Sequence, residues 1–106
     1  MVVGILRITL HVPEARSLKD RRAAVKRTVE RVRARFNVSV AEVGDLERWQ
    51  IATVAVCAVA NSRSHVNEVL DRVTSAMASA GAALVTHREM EIQSYSDRET
   101  LGEGDG

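Results

Sequence analysis

Three sets of side chains in this sequence could do chemistry, and a fourth could bind without doing any. His11, His87 and Glu89 are of types that hold a metal or exchange a proton, and a metal asks for at least three such donors in one place. Cys57 is the single thiol. A thiolate attacks or ligates only where its surroundings lower its pKa, and Cys57 stands among Val and Ala, where a buried thiol is inert packing. Asp45 and Glu47 flank Leu46 in what reads as a solvated loop. The fourth set is the run Arg16 to Phe36. It holds nine of the fifteen Lys and Arg residues (Arg16, Lys19, Arg21, Arg22, Lys26, Arg27, Arg31, Arg33, Arg35) against two acids, Asp20 and Glu30, for a net of +7. The remaining residues net −6, so a chain of formal charge +1 is strongly polarised.

The basic run is coherent as a helix. Leu18, Val25, Val29, Val32 and Phe36 fall in one stripe about 60° wide at roughly 100° per residue. Ser17 is well placed as the N-cap, with Asp20 three residues on as a short capping-box acid. Lys19, Arg22, Lys26 and Arg33 lie on one flank of the stripe. Arg27, Arg31 and Arg35 form an i, i+4 row on the far side, about 12 Å long. Like charges at that spacing repel and contribute nothing to folding, which points to a polyanionic partner. Lys and Arg on a helix neutralise backbone phosphates without reading sequence. The expected contact set is Arg16, Lys19, Arg22 and Lys26, with Ser17 and the first backbone N–H groups as an anion-binding helix end. Arg21 lies close to the apolar stripe and reads as a structural residue over the sheet edge.

The elements that must carry these residues follow from period. Residues 2–12 alternate, with Leu6, Ile8, Leu10 and Val12 on one face and Ile5, Arg7, Thr9 and His11 on the other, until Pro13 ends the strand. Asn37 can close the helix that follows. Val38 to Val43 reads as a second strand, 44–48 as a hairpin loop and Trp49 to Ala60 as a third strand. That third strand is apolar on both parities, as a central strand covered on both sides would be. A second helix runs from about Ser64 to Ala80, capped by Asn61, Ser62 or Ser64, with Val66, Val69, Leu70, Val73 and Met77 as its stripe and Gly81 beyond its end. Leu84 to Gln93 is a fourth strand.

The order β-α-β-β-α-β predicts an α+β, ferredoxin-like sandwich, with an antiparallel sheet of strand order 4-1-3-2 and both helices on one face. One domain spans residues 1–94, and the acidic, Gly-rich residues 95–106 read as a disordered tail. In this arrangement His11 and His87 come close at one end of the open sheet face. That face carries Ile51, Cys57 and Val59, too apolar to sit comfortably in water. With Trp49 as an anchor, these residues form the expected oligomer interface, most simply that of a homodimer.

Several activities of small domains are excluded by missing residues. A metallochaperone needs two spaced cysteines, and a phosphate cradle after the first strand needs glycines where this chain has Pro13-Glu14-Ala15-Arg16. Stacking bases on the sheet needs aromatics on its central strands, and the only aromatics are Phe36, Trp49 and Tyr95. No apolar run reaches the roughly 20 residues of a membrane span. The start lacks the basic n-region of a signal peptide, so a cytoplasmic location is expected, with no cofactor, no metal and no catalytic role.

Three blocks carry a resemblance: Leu10-His-Val-Pro-Glu-Ala-Arg-Ser-Leu-Lys-Asp-Arg-Arg22, Phe36-Asn-Val-Ser-Val-Ala-Glu-Val43 and Trp49-Gln-Ile-Ala-Thr-Val-Ala-Val56. Over residues 1 to about 93 the chain resembles the YlxP-like bacterial proteins, domain-of-unknown-function family 503, whose members often carry Lys where this chain has Arg21. The resemblance implies a ferredoxin-like fold and no known activity. Genes of the family tend to lie among translation and ribosome-maturation genes, beside ribosome-binding factor A. The expectation is therefore a non-enzymatic module associated with ribosomal RNA or a ribosome-assembly intermediate through its first helix. The alternative is a homodimeric protein-interaction or small-ligand module that uses the open sheet face.

Overall fold

The structure, a computed structural model, describes residues 1–44, 48 and 50–96. Six elements follow in order: β1 (Val2–His11), α1 (Leu18–Arg35), β2 (Ser39–Val43), β3 (Ile51–Ala60), α2 (Arg63–Ser79) and β4 (Leu84–Ser94). The four strands form one antiparallel sheet in the order β2-β3-β1-β4, the ferredoxin-like arrangement expected. Asp45, Leu46, Glu47 and Trp49 of the expected hairpin and third-strand start, and residues 97–106 of the expected tail, lie outside the described residues.

Alternation decides which face of the sheet is covered. Val2, Leu6, Ile8 and Leu10 of β1 and Ala52, Val54, Val56 and Ala58 of β3 are buried with Val66, Leu70, Val73 and Met77 of α2 in one core. Gly4 shares that parity and lets α2 approach closely: a Cβ there would come 2.8 Å from Leu70 Cδ1 and closer still to Val66 Cγ1. The odd positions of β3 are only half-buried, and Val59 is 65 % exposed. The strand that reads as covered on both sides thus has one open face, because both helices pack on the other. Cys57, expected as a buried thiol, is half-buried on that open face, opposite Ile5 on one side and Ser39 on the other.

The helix ends follow side-chain chemistry. Ser17 Oγ accepts from the Asp20 N–H at 3.1 Å, as an N-cap should. The Asp20 carboxylate reaches back past Ser17 and accepts from the Arg16 N–H at 3.0 Å. Ser62 caps α2 through the His65 N–H at 3.0 Å, and Gly81 beyond its end takes a φ of +79°, which costs glycine nothing. Asn37 does not cap α1. Among the described residues no non-glycine has positive φ, and Phe36 leaves the helix extended at φ −130°, with a short bend at Phe36 and Asn37 leading to β2 at Ser39.

The ladder between β1 and β4 continues past the expected boundary at residue 94, since Met1 and Tyr95 exchange backbone hydrogen bonds in both directions. It also shifts register between Thr9 and Leu10, a bulge at Thr86 that places His87 opposite Thr9 and Leu84 opposite His11. Among the described residues no helix is long and apolar enough to cross a membrane.

Candidate nucleic-acid interface

Helix α1 sorts its cations into one that is buried and many that are not. Arg21, Ala24, Val25, Thr28, Val29 and Val32 face the core, and Leu18 and Phe36 at the ends of the stripe are half-buried. Thr28 is tolerated there because its hydroxyl donates to the Ala24 carbonyl at 3.1 Å. Arg21, 1 % exposed, runs beneath the helix and pairs with Glu42 on the inner face of β2. It is the structural arginine its place beside the stripe suggests.

Arg16, Lys19, Arg22 and Lys26, the expected contact set, are all exposed, as are Arg27, Arg31, Arg33 and Arg35. Arg33 Nη2 donates to the Val40 carbonyl of edge strand β2 at 2.7 Å. The flank that also holds Lys19, Arg22 and Lys26 therefore overlooks β2. The row on the other flank borders α2. Arg27 lines a concavity with Gly81 and Ala82, and Arg35 lines a groove with Asn67, Asp71 and Ser75.

Three acids are engaged away from α1. Glu89 holds Arg7 at 2.5 Å, Glu68 holds Arg72 at 3.0 Å and Asp71 holds Arg88 at 2.9 Å. Among the described residues none of Arg16, Lys19, Arg22, Lys26, Arg27 and Arg31 pairs with a carboxylate. Five exposed cations on α1 and Arg16 just before it, with no carboxylate partner for their side chains among the described residues, make a positive surface whose natural complement is a polyanion. Ser17 stands differently. Its hydroxyl is occupied by the Asp20 N–H, and the Asp20 carboxylate lies at the same helix end, where an external anion would meet it.

The open sheet face offers less chemistry than its residue types suggest. His87 Nε2 lies 3.4 Å from Glu89 Oε2, so Glu89 bridges His87 and Arg7. His87 stands opposite Thr9, two residues along β1 from His11, so the two histidines are not cross-strand partners, and His87 Nε2 is turned to Glu89. Among the described residues no group of three or more His, Cys, Asp or Glu is arranged to hold a metal. Ile51 and Cys57 are half-buried there, Val59 and Ile5 exposed, and Trp49 lies outside the described residues.

One feature is not legible from periodicity. The Arg35 guanidinium lies over the Phe36 ring, 5.7 Å from its centroid. Phe36 reads in sequence as the last residue of the apolar stripe, yet it is half-buried and borders two grooves against α2.

The family model described as "Protein of unknown function (DUF503)" matches residues 3–90. An "Uncharacterized protein YlxP" of Bacillus subtilis (strain 168) is 36% identical over 72 residues, which cover 68% of this chain and 78% of that protein. Among solved structures, a de novo designed protein, Foldit4, is similar at TM-score 0.43 and 17% identity, over 92% of this chain and 98% of its own. SnoaB, a cofactor-independent oxygenase from Streptomyces nogalater, is similar at TM-score 0.43 and 11% identity, over 94% and 95%. Likenesses this distant say nothing about activity.

Proposed function

Since the chain belongs to the DUF503 family, whose function is unknown, its role has to be argued from its own residues, and we propose that it is a non-enzymatic, cytoplasmic RNA-binding module that contacts phosphates through α1. One observation carries this reading: five exposed α1 cations, with Arg16 just before the helix, have side chains that lack a carboxylate partner among the described residues, while Arg7, Arg72 and Arg88 each have one. Lys19, Arg22 and Lys26 on the flank above β2, with Arg16 at the helix start, are the proposed contacts. Such contacts position a backbone and do not specify bases. The setting of the family's genes among translation genes makes ribosomal RNA, or an assembly intermediate that contains it, the ligand of first choice.

The test is binding of ribosomal RNA, and co-sedimentation with ribosomal subunits and their precursors, over a series of salt concentrations. Four phosphate contacts give log K against log salt a slope of about −3. The triple variant Lys19→Glu, Arg22→Glu, Lys26→Glu should remove binding while leaving the fold intact. Affinity that is flat in salt, or that survives the triple variant, overturns the proposal.

A second reading has its own support. The open sheet face carries Val59 opposite Val3 and Ile5 opposite Cys57 at its centre. On this reading the protein forms a homodimer, or takes a protein or small-ligand partner, through that face. A dimer would double the basic surface, so the two readings are compatible.

A further inference from the structure

A half-buried aromatic ring, Phe36, stands on the helix layer at the end of the α1 arginine row, with the Arg35 guanidinium over it. From this arrangement we infer that Arg35 and Phe36 form a stacking site for one unpaired nucleobase of a single-stranded RNA whose phosphates follow Arg27 and Arg31. The inference rests on the RNA-binding reading of α1 and extends it from the Lys19, Arg22 and Lys26 flank above β2 to the flank that borders α2, naming the nucleic-acid form and the place where a base is held.

Three observations meet here. Arg27, Arg31 and Arg35 are exposed and recur at i, i+4, so they line up along the α1–α2 seam at steps of about 6 Å, each able to meet a phosphate of one strand. At the end of that row the Arg35 guanidinium already lies on the Phe36 ring, 5.7 Å from its centroid. A flat guanidinium backed by an aromatic ring offers its outer face to a base, and bases splayed out of a single strand stack on such planes. Third, Arg35 and Phe36 border an open groove of about 870 Å³ whose α2 wall includes Asn67, Ser75 and Ser79. That volume lies within the range of small-molecule pockets, and the amide and hydroxyls can meet a base edge.

The acids of the groove fit the same assignment. Glu68 is held by Arg72 at 3.0 Å, and Asp71 by Arg88 at 2.9 Å and Asn67 at 3.2 Å. Each is neutralised by its arginine, and Arg72 lines the groove beside Glu68, so a neutral base can enter without meeting an unpaired carboxylate there. A duplex keeps its bases stacked and cannot reach the site.

The experiment measures the full-length protein's affinity, by fluorescence anisotropy, for three probes of equal length: a single-stranded RNA, the same strand with abasic positions, and an RNA duplex. The variants are Arg35→Ala and Arg35→Lys, with Phe36→Leu added where circular dichroism shows the fold unchanged. Arg35→Ala is expected to weaken the base-bearing strand about fivefold or more, the loss that goes with one base stack. Arg35→Lys keeps the charge and should lose most of the same affinity, whereas it should leave the abasic strand and the duplex near wild type. Equal effects of Arg35→Lys on all three probes, or none on any, overturn the stacking site while the phosphate-binding reading stands. Absence of salt-dependent binding of every probe by the wild-type protein overturns both.

Discussion

Arg21 donates through Nη1 to Glu42 Oε2, tying the early turns of α1 to the inner face of edge strand β2. The guanidinium is 1 % exposed and the Glu42 side chain 22 %, so the pair is largely desolvated. Removing one partner of such a pair leaves a charge in a poor environment. Glu42→Ala is therefore expected to lower stability by about 2–3 kcal/mol, less than the ~3–5 of a fully enclosed pair because water still reaches the carboxylate. The double change Arg21→Met, Glu42→Leu should recover most of that loss, as apolar replacement of buried pairs often does. Urea unfolding with an unchanged m value reads both. A loss under about 0.5 kcal/mol for Glu42→Ala, the size of an ordinary surface change, would mean the pair does not hold the helix to β2.

Gly4→Ala should be costly even though the alanine is small. The new methyl would come 2.8 Å from Leu70 Cδ1 and overlap Val66 Cγ1, so α2 would have to lift from β1. Overpacking of this kind costs about 1–3 kcal/mol. Adding Val66→Ala should cost less in the Gly4→Ala background than in the wild type, because the methyl removed is the one in conflict. Thermal unfolding of the four proteins of this cycle reads the coupling. Simple additivity would show that the two residues do not compete for the same space.

How much of this was legible in sequence depended on how local each cause is. The six elements follow from period alone and the Ser17 cap from local chemistry, whereas the α2 cap is Ser62, one of three candidates that local chemistry does not separate. The placing of Arg21 beneath the helix also follows, since a wheel shows it beside Val25 and Val32. Cys57 falls on the open face, as the element order implies once both helices share one side of the sheet; only its depth differs, half-buried where a run apolar on both parities reads as fully covered. The bulge that shifts the β4 register beyond His87 has no signature in Thr86 or its neighbours. The contact of Arg35 with Phe36 has no signature in the stripe, which rightly sets Phe36 against the core but does not show that its ring is only half-covered. Periodicity says which way a residue points, and not where the helix opposite stops covering it. Asn37 failed as a cap because Phe36 turns extended and the chain enters β2 without a left-handed residue.

The open sheet face gives a separate prediction. Val59 is 65 % exposed in the single chain, so Val59→Asp should change monomer stability by no more than about 0.5 kcal/mol. If two copies bury this face, the same change places a carboxylate in the interface and should shift the protein to monomer at concentrations where the wild type is dimeric. Sedimentation velocity over a wide concentration range decides it. A wild type that stays monomeric throughout, or a Val59→Asp protein that associates equally well, would remove the dimer reading and leave α1 untouched.

The sharpest separation between a specific surface and mere net charge comes from single neutral substitutions on opposite sides of the molecule. Lys26 stands exposed on α1 without a carboxylate partner among the described residues, whereas Arg7 sits on the open sheet face against Glu89 at 2.5 Å. Lys26→Gln and Arg7→Gln each remove one positive charge from the same total. If phosphates lie along α1, Lys26→Gln releases one fewer counterion and should make the salt slope shallower by about 0.7–0.9, with a loss of affinity uniform across RNA sequences. Arg7→Gln should leave the slope where it was, because its charge is already neutralised locally and lies on the far side of the sheet. Equal changes in slope for the two variants would mean that the protein attracts RNA only through its overall field, and that α1 is no more an interface than any other surface.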